Sequence, residues 1–230
     1  MASNAIKRIP VKRIIFYLAG LVVMAFGIAI AVKADIGVAP GSVLPYAVSR
    51  LTPLTVGLCS TLFHVFCVLL QLVITRRLSI NLVFQFPLAY VFGFLLDLFI
   101  SMMGFSISNM VFRVLLLLAA LFIFSFGIRI IVGANILLAP PDGLARSLGN
   151  AFGWPMSKGK LAFDIIVTVL ALLLTLIIAG NAFMAVNIGT VICAIGTGPI
   201  IGLFTRLFPF FDFKETGEEA ESDTDTPAAG

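Results

Sequence analysis

Charged side chains are scarce in this sequence. Lys, Arg, Asp and Glu make up 11% of its 230 residues, against about 25% in ordinary soluble proteins. Hydrophobic residues make up 60% of the chain, and the mean hydropathy is +1.15. So little charge excludes an ordinary soluble domain. The composition predicts an all-α, polytopic membrane protein whose main partner is the lipid bilayer.

Residues that carry catalytic or metal chemistry are also few. The sequence has one histidine, His64, and no glutamate before Glu215. Its three cysteines lie in apolar runs without a CxxC or Cys/His cluster, so neither a disulfide framework nor a zinc site is predicted. No hydrolase, zincin or nucleotide-binding motif occurs in a suitable context. A serine hydrolase could pair His64 with Ser42 or Ser60, but the sequence offers no third residue to orient the histidine and no oxyanion donors. We therefore expect no enzyme, no cofactor and no metal.

The few charges are unevenly distributed. Residues 1–211 carry fourteen Lys and Arg against four Asp, whereas residues 212–230 carry seven of the eleven acidic residues. The acidic tail has no apolar periodicity and is predicted to be disordered. The basic residues lie at the ends of apolar runs and form no basic stripe with interleaved aromatics. They therefore predict membrane orientation, and no nucleic acid is expected as a partner.

Six apolar segments are long enough to cross a hydrocarbon core of about 30 Å as helices. Basic residues concentrate on one side of these segments, which predicts that both termini are cytoplasmic. The predicted spans cover residues 14–32, 56–74, 81–102, 114–132, 161–179 and 183–205.

The sequence contains an internal duplication at an offset of 100 residues. Residues 26–40 (FGIAIAVKADIGVAP) and 126–140 (FGIRIIVGANILLAP) agree at nine of fifteen positions, and the match extends back to Arg13 and Arg113. Each copy runs an apolar helix into a break, followed by Ala-Pro and a short second helix. Interrupted helices at matching places in two halves are typical of transporter binding sites.

Each copy contains three spans, so the second copy is expected to be inserted upside down relative to the first. The predicted units are a basic amino terminus (1–13), a first three-helix repeat (14–103), a second three-helix repeat (104–211) and the acidic tail (212–230). The short helices after Pro40 and Pro140 are expected to be re-entrant.

The signature F-G-I-x-I-x-V-x-A-D-I-G-x-x-P-x-S at residues 26–42 follows a basic first turn. It is followed by a second span that begins with a glycine and a glycine-rich sixth span. This pattern resembles the YitT/YczE family of bacterial integral membrane proteins. The resemblance implies an inner-membrane protein of about six helices, and an association of the YczE branch with production of nonribosomal lipopeptides and polyketides. The second copy departs from the signature, with Pro141 and Asp142 where the first has Gly41 and Ser42.

Polar residues at the breaks and inside the spans are the candidates for substrate binding. We expect the amino ends of the short helices to face a central cavity and favour an anionic group. His64 is either an interhelical packing residue or a midplane contact for substrate or a proton. Asp35 and Asn135 are equally explained as helix-stop residues. The candidates are Asp35, Pro40, Gly41, Ser42, His64, Gln85, Asn135, Asp142 and Asn187.

Four charged residues near span ends suggest two gates. Lys33 with Asp97 on the outer side and Arg129 with Asp164 on the inner side are each placed to form an ion pair. The alternative is that the two bases extend to headgroups while the two acids cap or solvate their helix ends.

Three functions are consistent with these features. The first is a small secondary transporter or exporter of a small organic metabolite, with an anionic metabolite as one option. The second is a membrane scaffold that docks a cytoplasmic biosynthetic enzyme through the acidic tail. The third is a substrate-capture subunit of a larger transporter. A homodimer is a further expectation, because Ala194, Gly198 and Gly202 recur at i+4 spacing and allow close helix approach.

Overall fold

A computed structural model of the chain describes residues 10–209. The predicted acidic tail, and with it the predicted docking of a cytoplasmic protein, lies outside the described residues. The described part contains eight α-helices, one 3-10 turn and no strand. These are α1 Val11–Ala34, α2 Pro40–Leu51, α3 Val56–Thr75, α4 Ile80–Met102, α5 Met110–Ala134, α6 Pro140–Phe152, α7 Met156–Ala179, the turn Ala182–Met184 and α8 Ile188–Leu207.

Six of these helices, α1, α3, α4, α5, α7 and α8, are long and apolar enough to cross a membrane. They have 20 to 25 residues each, and a rise of about 1.5 Å per residue makes them about 30 Å or longer. The predicted all-α polytopic bundle is confirmed, and the chain is a multi-pass membrane protein. Helix α7 begins five residues earlier than its predicted span, which places Lys160 inside the helix.

The predicted breaks lie at the carboxyl ends of α1 and α5. Asp35 and Asn135 cap these helices in the left-handed conformation, with φ of 54° and 46°. Asp and Asn tolerate this conformation better than most side chains, which explains why both copies stop at this position. Pro40 and Pro140 then occupy the first position of α2 and α6, where a missing backbone N–H costs nothing.

The centre of the molecule is the antiparallel crossing of α1 and α5. A Cβ atom on Gly27 would lie 2.6 Å from the backbone nitrogen of Phe124, and one on Gly127 would lie 2.5 Å from that of Met24. The two contacts are the same contact with the halves exchanged, since residues 24 and 27 correspond to residues 124 and 127. A pseudo-twofold axis therefore passes through this crossing.

The same axis passes between α3 and α7. Phe63 and Phe163, again 100 residues apart, pack with ring centroids separated by 6.5 Å. The short helices follow this symmetry. Helix α2 packs against α3 of its own half and α7 of the other half, while α6 packs against α7 of its own half and α3 of the other half. Each short helix thus lies against the other half of the chain. The two halves form one interlocked body of inverted repeats.

The halves differ at their last helices. Helix α3 packs along α4 through Gly57 and Gly93, whereas α7 packs against the turn Ala182–Met184. No described atom comes within 4 Å of a Cβ placed on Gly198 or Gly202 of α8, and the homodimer expected from these residues stays a prediction. Within the described chain, close helix approach through glycine lies between α3 and α4 and between α1 and α5.

Candidate functional site

The amino ends of the two short helices meet at Lys160 of α7. The Lys160 ammonium lies 2.9 Å from Asp142 Oδ1 in the first turn of α6 and 3.0 Å from Asp164 Oδ1. It also lies 3.6 Å from where a Cβ on Gly41 would stand, in the first turn of α2. One lysine therefore joins both re-entrant helices to a membrane-spanning helix.

Local sequence explains how these groups come together. Lys160 and Asp164 are four residues apart and share one face of α7. Asp142 is the third residue of α6, where a carboxylate is stabilised by the positive end of the helix dipole. With both carboxylates ionised, the cluster carries two negative charges and one positive charge. The positive ends of α2 and α6 offset part of this imbalance.

His64 corresponds to Asp164 in the other half and lies on α3. Its ring packs against Phe92 at a centroid distance of 5.0 Å and next to Phe63 at 6.2 Å. Its Nδ1 is buried and has no hydrogen-bond partner among the described residues. The structure does not bring His64 to Asn187, which caps the start of α8 and is exposed. Aromatic packing therefore surrounds the histidine.

A cavity of about 540 Å³ lies on the side of the molecule where α3 ends and α4 begins. It is bounded by the break after α5 and by the first turns of α6. Its polar lining combines amide and charged side chains, among them Gln71, Arg77, Gln85, Asn135, Asp142 and Arg146. Asp142 therefore belongs both to the cavity wall and to the cluster around Lys160.

Two buried glutamines form a hydrogen-bonded chain in the wall of this cavity. Gln71 Nε2 donates to the backbone carbonyl of Pro140 at 3.0 Å and to Gln85 Oε1 at 3.1 Å. The oxygen of Gln71 lies against Gly143 in the first turn of α6. The chain therefore connects α3 and α4 of the first half to the re-entrant helix of the second half.

The opposite side of the molecule carries a cluster around Asp35. The Asp35 carboxylate accepts a hydrogen bond from the Tyr46 hydroxyl at 3.0 Å and lies 3.4 Å from both Arg50 and Arg113. Tyr46 is buried in α2, and this burial together with the negative charge of Asp35 raises its pKa. The hydroxyl thus stays protonated and holds α2 to the end of α1.

A second cavity of about 610 Å³ lies on this side and is lined by Tyr46, Arg50, Thr55 and Asp97. Asp97, near the end of α4, accepts from the Thr55 hydroxyl at 2.5 Å and from the Gly57 backbone N–H at 2.7 Å. This carboxylate satisfies free donors at the start of α3. It fastens α3 to α4 at this end.

The predicted gate pairs are not the pairs that the structure forms. Asp164 pairs with Lys160, and Asp97 binds the start of α3, where both of its oxygens are used. Arg129 is buried in α5 and donates to the carbonyl of Phe208 at 3.1 Å. In the described residues neither Lys33 with Asp97 nor Arg129 with Asp164 is in contact. For Asp97 this matches the alternative of a cap at a helix end, whereas Asp164 forms an ion pair within α7 that neither alternative described.

The model of a family of unknown function, DUF6198, matches residues 11–206. The chain belongs to this family. No curated protein and no solved structure matches the chain. The resemblance to the YitT/YczE family stays a prediction.

Sequence reasoning missed two groups in this member of DUF6198 that hold the site together. Lys160 was assigned to a loop because the stretch Met-Ser-Lys-Gly-Lys at 156–160 is not apolar. Its i,i+4 spacing to Asp164 was the available signal. Gln71 lies near the end of the predicted second span, and nothing in the local sequence indicates that it reaches Gln85 and Pro140. Ser42 follows Gly41 in the first turn of α2. Its role in ligand binding stays a prediction.

Proposed function

We propose that this membrane protein is a small secondary transporter or exporter of a small organic anion. One observation carries the proposal. The amino ends of two re-entrant helices, related by an internal pseudo-twofold axis, meet at Lys160, and a cavity on one side of the molecule is lined by Asp142, one of the two carboxylates that pair with this lysine. Broken helices that meet at the interface of inverted repeats are the recurrent architecture of secondary transporter binding sites.

The cavity has the size and lining of a small-molecule site. Its volume of about 540 Å³ lies within the roughly 300–1,000 Å³ that ligand cavities occupy. Two arginines, Arg77 and Arg146, and one acid, Asp142, line it. This excess of positive charge, together with several amide groups, favours an anionic ligand with hydrogen-bonding oxygens.

The proposed location is the bacterial inner membrane, with both termini in the cytoplasm. Arg13, Arg76 and Lys158 lie at or near the ends of helices that the topology places on one side, as the positive-inside rule requires. Engineered cysteines at Arg77 and Asn109 should react with an impermeant maleimide from opposite sides of the membrane. Reaction of both from the same side would refute this orientation.

Flux through liposomes tests the function. The purified full chain is reconstituted and assayed for uptake of radiolabelled lactate, succinate and citrate, with empty liposomes as the control. Saturable uptake of at least one compound is expected. Uptake should persist when the chain is truncated after Phe211. Absence of flux for all compounds, with loss of binding to a cytoplasmic enzyme on truncation, would favour the scaffold instead.

A further inference from the structure

Gln85 has a side chain that the fold buries without using all of its hydrogen-bonding capacity. The residue is 5% exposed and lines the 540 Å³ cavity. Its Oε1 accepts from Gln71, while its Nε2 has no hydrogen-bond partner among the described residues. The nitrogen keeps a small solvent-accessible surface, and the residue that carries it lines the cavity. It is therefore accessible from the cavity.

The orientation of this amide is determined by the backbone of α6. The Pro140 carbonyl can only accept, so the atom of Gln71 that faces it must be the donor Nε2. Because the same Nε2 also faces Gln85, the atom of Gln85 on that side must be the acceptor Oε1. The two N–H groups of Gln85 consequently point away from Gln71. A rotated amide would place two donors against each other.

The groups around these donors match one class of ligand. Arg77 and Arg146 line the same cavity and supply positive charge, whereas Asp142 is held by Lys160. Donor groups with nearby guanidinium groups complement the oxygens of a carboxylate. A donor that is accessible from the cavity and has no protein partner is available to a ligand oxygen.

We propose that Gln85 Nε2 binds a carboxylate oxygen of the substrate, and that the substrate of this cavity is a small organic carboxylate. This assignment rests on the proposed transport function and specifies the ligand of the same site. Gln71 acts as a positioning residue, because it presents the donors of Gln85 without reaching the ligand itself. The first turn of α6 thereby determines which end of the Gln85 amide meets the substrate.

Two substitutions separate the donor role from packing. Gln85→Glu keeps an acceptor toward Gln71 but replaces the two donors in the cavity with a negatively charged oxygen. Gln85→Met keeps a similar volume and supplies no donor. Asn109→Asp is the matched control, because it adds the same negative charge at the exposed cap of α5, where Asp also caps a helix.

The experiment measures the thermal unfolding midpoint of the detergent-solubilised full chain at pH 8. The probes are sodium lactate, succinate and citrate, with lactamide, succinamide and inorganic phosphate compared at equal ionic strength. At least one carboxylate should raise the midpoint saturably, while its amide analogue should not. Gln85→Glu and Gln85→Met should each weaken the apparent affinity about tenfold or more, the loss expected for a hydrogen bond to a charged group. Asn109→Asp should leave the affinity unchanged.

Each alternative outcome overturns a defined part of the proposal. No stabilisation by any carboxylate, or stronger stabilisation by phosphate or by the amides, refutes the ligand class. Wild-type affinity in both folded Gln85 variants refutes the role of Gln85. If one variant fails to fold, the other decides. Saturable flux of a compound without a carboxylate would preserve transport while refuting this inference, so the two failures are distinguishable.

Discussion

Arg13, in the first turn of α1, donates a hydrogen bond of 2.6 Å to the backbone carbonyl of Asn135, just after the end of α5. The reciprocal bond runs from Arg113 of α5 to the carbonyl of Asp35 after α1, at 3.3 Å. The last carbonyl groups of a helix lack hydrogen-bond donors within the helix. Each arginine supplies such a donor to the helix end of the other half. The duplicated arginines therefore hold the inverted repeats together at both ends.

Removing either arginine should destabilise the protein. Arg13→Ala and Arg113→Ala are each expected to lower the free energy of unfolding by about 1.5–3 kcal/mol, the typical loss for a hydrogen bond to a charged group. Arg113→Ala should be the more harmful, because Arg113 also contacts the carboxylate of Asp35 and the carbonyl of Ile107. Thermal unfolding in detergent measures the effect. The exposed Arg206 is the control, and equal midpoints for Arg113→Ala and Arg206→Ala would contradict the account.

The crossing of α1 and α5 should not tolerate a methyl group. Gly27→Ala and Gly127→Ala place a Cβ against the facing backbone, which cannot move aside as a flexible side chain can. Each substitution should cost at least the roughly 1–3 kcal/mol of an overpacked core. Gly202→Ala is the control, because open space surrounds that position and alanine favours a helix by up to about 1 kcal/mol. A Gly27→Ala protein as stable as Gly202→Ala would show that the helices are farther apart.

Lys160 should matter for both stability and flux, whereas its neighbour Lys158 should not. Lys160→Met leaves Asp142 and Asp164 without the charge between them. The free energy of unfolding should fall by less than the roughly 3–5 kcal/mol that breaking a fully buried ion pair costs, because the side chains of Lys160 and Asp142 are 36% and 33% exposed. Lys158 is exposed, so Lys158→Met should change stability by no more than about 0.5 kcal/mol.

The paired substitution Lys160→Met with Asp164→Asn should regain part of the lost stability by removing one of the two repelling carboxylates. Unfolding midpoints and liposome uptake are measured on the same preparations. If Lys160→Met transports like Lys158→Met, the cluster only supports the fold.

Tyr46 should give a pH signature at the opposite side. Burial and the charge of Asp35 raise its pKa in the folded state, so its contribution is complete below the unfolded pKa of about 10 and is lost as pH rises above that value. The stability difference between wild type and Tyr46→Phe should be constant from about pH 6 to 9 and should narrow above about pH 10. Tyr90→Phe, at an exposed site, is the control. A difference that grows above pH 10 would exclude the hydrogen bond to Asp35.

Much of the fold was predictable because its signals are local. Apolar length identified the spans, and the repeated Asp35 and Asn135 with Pro40 and Pro140 marked where each helix stops and the next begins. The position of a residue along a helix follows from the sequence, but its direction around the helix depends on packing. Asp97 was therefore placed at the correct end of α4, while its actual partners at the start of α3 were missed.

The centre of the site was harder to predict. Asp142 was named as the residue at the start of α6, but its partner Lys160 lies on another helix. The contact exists only because each short helix packs against the opposite half. The repeat showed that Arg13 and Arg113 occupy equivalent positions. It did not show which groups they bind, because a sequence repeat carries no information on contacts. His64 was placed midway along its span, and its aromatic neighbours depend on the tertiary fold.

The exchange of arginines between the halves also sets an order of events during synthesis. The carbonyl of Asp35 receives its guanidinium from a residue 78 positions later in the chain, and Asn135 receives one from a residue 122 positions earlier. When the first three spans have left the ribosome, the carbonyl group of Asp35 is therefore still without its guanidinium partner. Insertion of α5 completes both junctions in a single step, because it brings Arg113 to Asp35 and its own end to Arg13. The first half thus matures only when the second half arrives beside it in the bilayer.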